Sequence, residues 1–205
     1  YGRDLTRSFT RALRAAGGTV VGEDPYLEEM EDFRPYLERL RRRGAGLVFV
    51  AGYDQGARTM IPQARALGLA APFMGGDGLE ALTGAGGGYD GTLVGVLFHP
   101  DAGERARAFA ATYRAKWQRE PDSSAALAYD AVHLLARALR AGARDRAAVR
   151  RYLEGVGRPG GSPPFEGAAG PVAFDAHGDP VNKAFVVGRL QGGRIVLPQT
   201  GRGAR

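Results

Sequence analysis

Leu47-Val48-Phe49-Val50-Ala51-Gly52-Tyr53-Asp54 and Ala71-Pro72-Phe73-Met74-Gly75-Gly76-Asp77-Gly78 decide the reading of this chain. In each stretch a short apolar run ends at glycine, and the chain turns there. Gln55 to Leu67, between them, has the length of one helix. The three pieces form a strand–helix–strand unit. Ligands of open α/β sheets bind outside the carboxyl ends of the strands. Tyr53 and Asp77 are therefore expected in one crevice. Gly75, Gly76 and Gly78 allow close backbone approach there. Asp77 also fits a plain Gly-Asp-Gly turn, and Tyr53 a half-buried strand end. Tyr1, which opens the chain, is a third candidate.

Working outward, Leu5, Phe9 and Leu13 recur at helical spacing, and Gly17-Gly18 ends that helix. No strand precedes it, although a βα unit calls for one, so the chain reads as part of a longer protein. Thr19-Val20-Val21-Gly22 is expected to be a short strand and Glu23 to Asp32 an acidic loop. A helix follows over about 33–43, with Pro35 in its first turn. Pro62 falls inside the helix at about 54–67 and removes one backbone bond. Gly84 to Gly88 is a glycine-rich loop, and Thr92 to Phe98 another buried strand. Helices are expected at 104–117, 123–141 and 145–154, with Asp145 a cap of the third. Arg158 to Gly170 is expected to be a loop. Strands follow at 170–174, 184–190 and 194–197, the last two joined by a Gln191-Gly192-Gly193 hairpin turn. The fold class is α/β: a parallel sheet with helices on both faces, then helices, then a hairpin region.

Composition narrows the function. The 205 residues are 44% apolar and 24% charged, ordinary for a globular protein. No apolar run reaches the roughly 18–20 residues of a membrane span. Without cysteine there is no disulfide framework and no thiolate metal site. The net charge is +6, almost wholly arginine, with Lys116 and Lys183 the only lysines. Those arginines are scattered along helices rather than gathered on one face, so no nucleic-acid partner is expected. Arg41-Arg42-Arg43 ends a helix, where cations suit the dipole. His99, His133 and His177 lie in separate segments without a triad order or a metal-binding spacing. His133 and Tyr129 are read as packed helix residues. The Gly84 loop lacks the lysine of a phosphate loop. Neither an enzyme nor a cofactor or metal is expected.

Six segments in one order carry a resemblance: Tyr1-Gly2-Arg3-Asp4, Phe49-Val50-Ala51-Gly52-Tyr53, Gln63-Ala64-Arg65-Ala66-Leu67-Gly68-Leu69, Phe73-Met74-Gly75-Gly76-Asp77-Gly78, Ala126-Leu127-Ala128-Tyr129-Asp130-Ala131-Val132 and Phe174-Asp175-Ala176-His177-Gly178-Asp179-Pro180. From Tyr1 to about Leu197 the chain resembles the branched-chain amino acid (Leu/Ile/Val) substrate-binding proteins of ABC transporters. These are type I periplasmic binding proteins. The resemblance implies two α/β lobes, the second nearly complete and the first partial, with the opening half of the first missing. Residues 1–98 with 160–197 would form the second lobe, 99–157 the helical part of the first, and 198–205 a disordered tail.

The resemblance further implies an amino-acid ligand in an inter-lobe cleft and membrane permease subunits as partners. It places the protein outside the cytoplasm, with a signal peptide in the missing part. Asp77, flanked by Gly76, would take the ligand ammonium in a charge-assisted hydrogen bond. Tyr1 and Tyr53 would give an aromatic wall with polar tips. Ser124 stands where many relatives carry an aromatic residue, which implies a larger or more polar ligand. Donors to the ligand carboxylate would lie in the missing segment. The same fold also serves ligand sensors that bind amides or other small acids, since fold does not fix function.

Overall fold

The computed structural model describes residues 1–183 and 185–198. The expected tail at 198–205 lies outside the described residues from position 199 on, and so does Ala184 of the expected strand at 184–190. The chain divides into two compact units, residues 1–95 with 187 onward, and residues 96–186.

In the first unit α1 spans Gly2–Ala15, α2 Arg34–Arg42 and α3 Asp54–Ala66. The strands are β1 (Val48–Val50), β2 (Phe73–Gly75) and β3 (Leu93–Val96). Late in the chain come β6 (Val186–Gln191) and β7 (Arg194–Val196). Among the described residues these make one five-stranded sheet in the order β1-β2-β3-β6-β7. β1 and β2 run parallel, with Val48 opposite Phe73 and Val50 opposite Gly75, and β2 and β3 are parallel too. β6 and β7 form the expected antiparallel hairpin, turned by Gly192 and Gly193 at positive φ. Val50, Ile61, Leu79, Leu82, Val94 and Leu190 are fully buried at its core. Pro35 sits in the first turn of α2 and Pro62 inside α3.

Thr19–Gly22 has no regular secondary structure and is not a strand. A strand needs a hydrogen-bonding neighbour, and among the described residues this segment has no strand beside it: the sheet order ends at β1.

In the second unit α4 spans Glu104–Trp117, α5 Ser123–Arg140 and α6 Arg146–Glu154. Asp122 and Asp145 cap α5 and α6, accepting from the N–H groups of Ala125 and Ala148 at 2.7 Å. The expected loop at 158–170 instead contains a hairpin of β4 (Phe165–Gly167) and β5 (Gly170–Val172). Two side chains of α5 hold it in place. Arg137 donates to Ser162 Oγ at 3.1 Å and to the Pro163 carbonyl at 2.7 Å. Buried Asp130 accepts from the Ala168 and Ala169 N–H groups at 2.6 and 2.9 Å. Residues 160–186 consequently cluster with the helices of this unit, whereas the sequence reading grouped 160–197 with 1–98.

The buried stripe of α5 also differs from its apolar pattern. Ser123, Ala126, Asp130, Leu134 and Ala138 are buried, while Val132, Leu135 and Leu139 are exposed. Small residues let α5 approach the cluster of Phe98, Ala106, Ala110 and Ala169. Tyr129 and His133 are exposed rather than packed inside. They lie against each other at 4.2 Å, and Tyr129 also meets Phe109 at 4.9 Å between ring centroids.

Candidate functional site

The carboxyl ends of β1 and β2 place Tyr53 and Asp77 as the strand–turn reading expects. β1 ends at Val50, and the chain passes through Ala51-Gly52 into Tyr53, the residue before α3. β2 ends at Gly75; Gly76 is buried, and Asp77 opens a short 3₁₀ turn over Asp77–Leu82. Backbone approach is tight at two places here, and glycine is required at the first. A Cβ at Gly78 would lie 2.3 Å from the Gly52 carbonyl oxygen, so the two strand-end turns touch backbone to backbone. One at Gly76 would lie 3.1 Å from the Tyr1 hydroxyl.

Tyr1 completes the group from the start of α1. Its hydroxyl donates to Asp77 Oδ1 at 2.8 Å, a contact between residues 76 apart in sequence, and accepts from the Gly78 N–H at 3.4 Å. Its ring stacks on Tyr53, centroids 5.1 Å apart and planes 23° from parallel. Burial, then the hydrogen bond to the Asp77 carboxylate, pushes the Tyr1 hydroxyl up to about 12. Both rings remain about half exposed, 49% for Tyr1 and 52% for Tyr53, and Asp77 is exposed. The arrangement is an anionic group beside a two-ring apolar wall. It can pair a cation with the carboxylate and cover an aliphatic group with the rings.

Ser124 belongs to the other unit. It is exposed in the first turn of α5, beside buried Ser123, whose Oγ accepts the Leu97 N–H at 3.1 Å. Among the described residues no group of three or more His, Cys, Asp or Glu is placed to hold a metal ion. No described helix is long and apolar enough to cross a membrane.

One residue that supports the site carries no local sequence signal. Glu28, in the acidic loop, accepts from the Tyr53 N–H at 3.1 Å and from the Gly56 N–H at 3.2 Å. It caps α3 from a distance, because Tyr53 in the capping position offers no side-chain acceptor of its own. Glu28→Ala is expected to cost about 0.5–2 kcal/mol, the range of a lost helix cap. It should also raise amide exchange in the first turn of α3, which hydrogen-exchange NMR would read. Unchanged exchange at Tyr53 and Gly56 would show that the cap is not what holds the wall.

Comparison with known proteins matches residues 1–194 to a family described as periplasmic binding protein. The Leu/Ile/Val-binding protein of Citrobacter freundii is 29% identical over 185 residues, which are 87% of this chain and 47% of that protein. A leucine binding protein from Thermotoga maritima superposes with a TM-score of 0.81 at 28% identity, covering 95% of this chain and 55% of that one. An ABC transporter substrate-binding protein from Desulfitobacterium hafniense, in complex with Leu, gives 0.76 at 27% identity, covering 97% and 57%. The chain spans about half the length of the curated relatives it matches. The match over residues 1–194, with the parallel β1-β2-β3 sheet and its helices, places the chain in the periplasmic binding protein family, with the type I fold of its branched-chain amino acid binding members.

Proposed function

We propose that the protein is the solute-binding component of an ABC importer. Its ligand is an amino acid, of the branched-chain class, held outside the cytoplasm and handed to a membrane permease. The observation that carries the reading is the Asp77 carboxylate beside the Tyr1–Tyr53 stack, at the carboxyl ends of two parallel strands. Asp77 takes the ligand ammonium, and the rings cover the aliphatic side chain. Gly76 leaves room for the ligand to reach the strand end. The function is binding without chemistry: the ligand shifts a conformational equilibrium by its differential affinity for the two states. That several relatives are named for leucine, isoleucine and valine supports the ligand class.

The test is a thermal-shift panel on the protein containing this chain, with leucine, isoleucine, valine, small amides and benzoate. A ligand that binds only the folded state raises the midpoint. Asp77→Asn keeps the shape and removes the charge. It is expected to weaken leucine binding about 10- to 100-fold, the equivalent of roughly 1.5–3 kcal/mol for a hydrogen bond to a charged group. Shifts only with ligands that lack an ammonium group would overturn both the ligand class and the role of Asp77.

A further inference from the structure

Arg58 lies in the second turn of α3, and its guanidinium reaches two segments at once. Nε donates at 2.7 Å to Oδ2 of Asp54, the residue next to Tyr53. Nη2 donates at 2.5 Å to the carbonyl of Ala81, in the 3₁₀ turn that Asp77 opens. The same group lies over the Tyr89 ring, 5.8 Å from its centroid, within the range of a cation–π contact. One side chain therefore joins the segment that carries Tyr53 to the turn that carries Asp77.

The ion pair alone does not account for this arrangement. The side chains of Arg58 and Asp54 are 39% and 27% exposed, and helix pairs open to solvent contribute little. The bond to Ala81 is of another kind, since it ties helix to turn across 23 residues of chain. Nε and Nη2 point along fixed directions of a rigid plane, so a lysine ammonium does not reproduce both bonds. Seven residues on, and so on the same helix face, Arg65 acts on the other end of this connection. It donates to the carbonyls of Gly88 and of Asp90, the latter at 2.7 Å. Asp90 Oδ2 in turn accepts the Gly192 N–H at 3.0 Å. Arg65 thus holds the end near the β6–β7 hairpin, and Arg58 holds the end near Asp77.

A carboxylate and an aromatic wall grip one ligand only at a set separation, held to within about 0.5 Å by the groups behind them. We propose that Arg58 is a positioning residue for the ligand site, fixing the distance between the Asp77 carboxylate and the Tyr1–Tyr53 wall by bridging Asp54 and Ala81. It acts through the two segments it joins rather than by contact with the ligand. The inference rests on the solute-binding reading for its ligand.

Its test is a calorimetric titration with leucine, well below the unfolding midpoint, on the protein containing this chain. The variants are Arg58→Met, Arg58→Lys, Asp77→Asn and the double variant of Arg58→Met with Asp77→Asn. Arg58→Met keeps the apolar stem and removes the fork. It is expected to weaken leucine binding about tenfold in the parent but less than about twofold in the Asp77→Asn background, because groups that act through one another are not additive. Arg58→Lys is expected to lose about as much as Arg58→Met. A purely structural arginine gives equal losses in both backgrounds, and a purely electrostatic one is rescued by lysine. Either result overturns the proposal, as does unchanged or tighter binding by Arg58→Met.

Hydrogen exchange separates this inference from the reading beneath it. The Leu79 and Thr83 amides donate to the Gly76 and Glu80 carbonyls at 3.0 Å, within and at the end of the turn that carries Asp77. In Arg58→Met both are expected to exchange about tenfold faster, with the amide of buried Val94 unchanged. Where leucine binds, the titrations decide. If the parent takes no leucine, the solute-binding reading fails and this exchange alone decides for Arg58. Equal exchange, or acceleration everywhere alike, then overturns the proposal.

Discussion

Asp130→Ala is expected to lower the unfolding free energy of the helical unit by about 2–5 kcal/mol. Asp130 is 3% exposed, and its two oxygens accept the N–H groups of Ala168 and Ala169. Truncation leaves two buried donors without an acceptor, and each such orphan costs about 1–3 kcal/mol. Gly167 packs directly onto the carboxylate: a Cβ there would lie 2.2 Å from Asp130. The change would also remove the anion that counters the partly buried Lys183, whose ammonium burial already pulls below the usual lysine range. Urea unfolding followed by circular dichroism would measure the loss. Asp130→Asn, which keeps one acceptor oxygen, should fall between the parent and Asp130→Ala. An alanine variant within about 0.5 kcal/mol of the parent, the scale of an inert surface change, would show that Asp130 does not anchor the β4–β5 turn.

The second large effect is expected at Gly78. Its Cβ position is 2.3 Å from the Gly52 carbonyl, a backbone atom that cannot swing aside as a flexible side chain would. Gly78→Ala must push the β1 and β2 ends apart, at a cost of about 1–3 kcal/mol for overpacking. That separation moves Asp77 away from Tyr53, so the variant should also lose its thermal response to leucine. Gly46→Ala is the control, since nothing lies within 4 Å of its Cβ position and its φ is not in the left-handed region. It should be neutral or slightly stabilising. Equal midpoints for the two variants would mean that the two turns are not in the contact described.

The legible parts of the chain were those with local causes. α3, α4 and α5 fall where helices were expected, the cap Asp145 sits three residues from the N–H group it serves, and Gly192-Gly193 turns its hairpin. Tyr53 and Asp77 could be placed because strand ends position them and the strand runs are unmistakable. What escaped depends on distant partners. Thr19–Gly22 has strand composition but no strand beside it among the described residues. The Gly/Pro-rich stretch after Arg158 forms a hairpin because Asp130 and Arg137 grip it from α5. Glu28 acts on backbone 25 residues away. The stripe of α5 misled because a close helix contact selects alanine over leucine at the buried positions.

α1 contains no fully buried residue. It is held by the Phe9–Phe49 stack, by the Gly2 approach to Ala51 and by the Tyr1–Asp77 hydrogen bond. Elements with so little buried apolar contact detach by local opening, at a free energy well below that of global unfolding. Tyr1 rides on this helix, so one half of the aromatic wall shares its fraying equilibrium. The lifetime of the two-ring stack is then governed by the docking of α1 and not by the stability of the sheet beneath it.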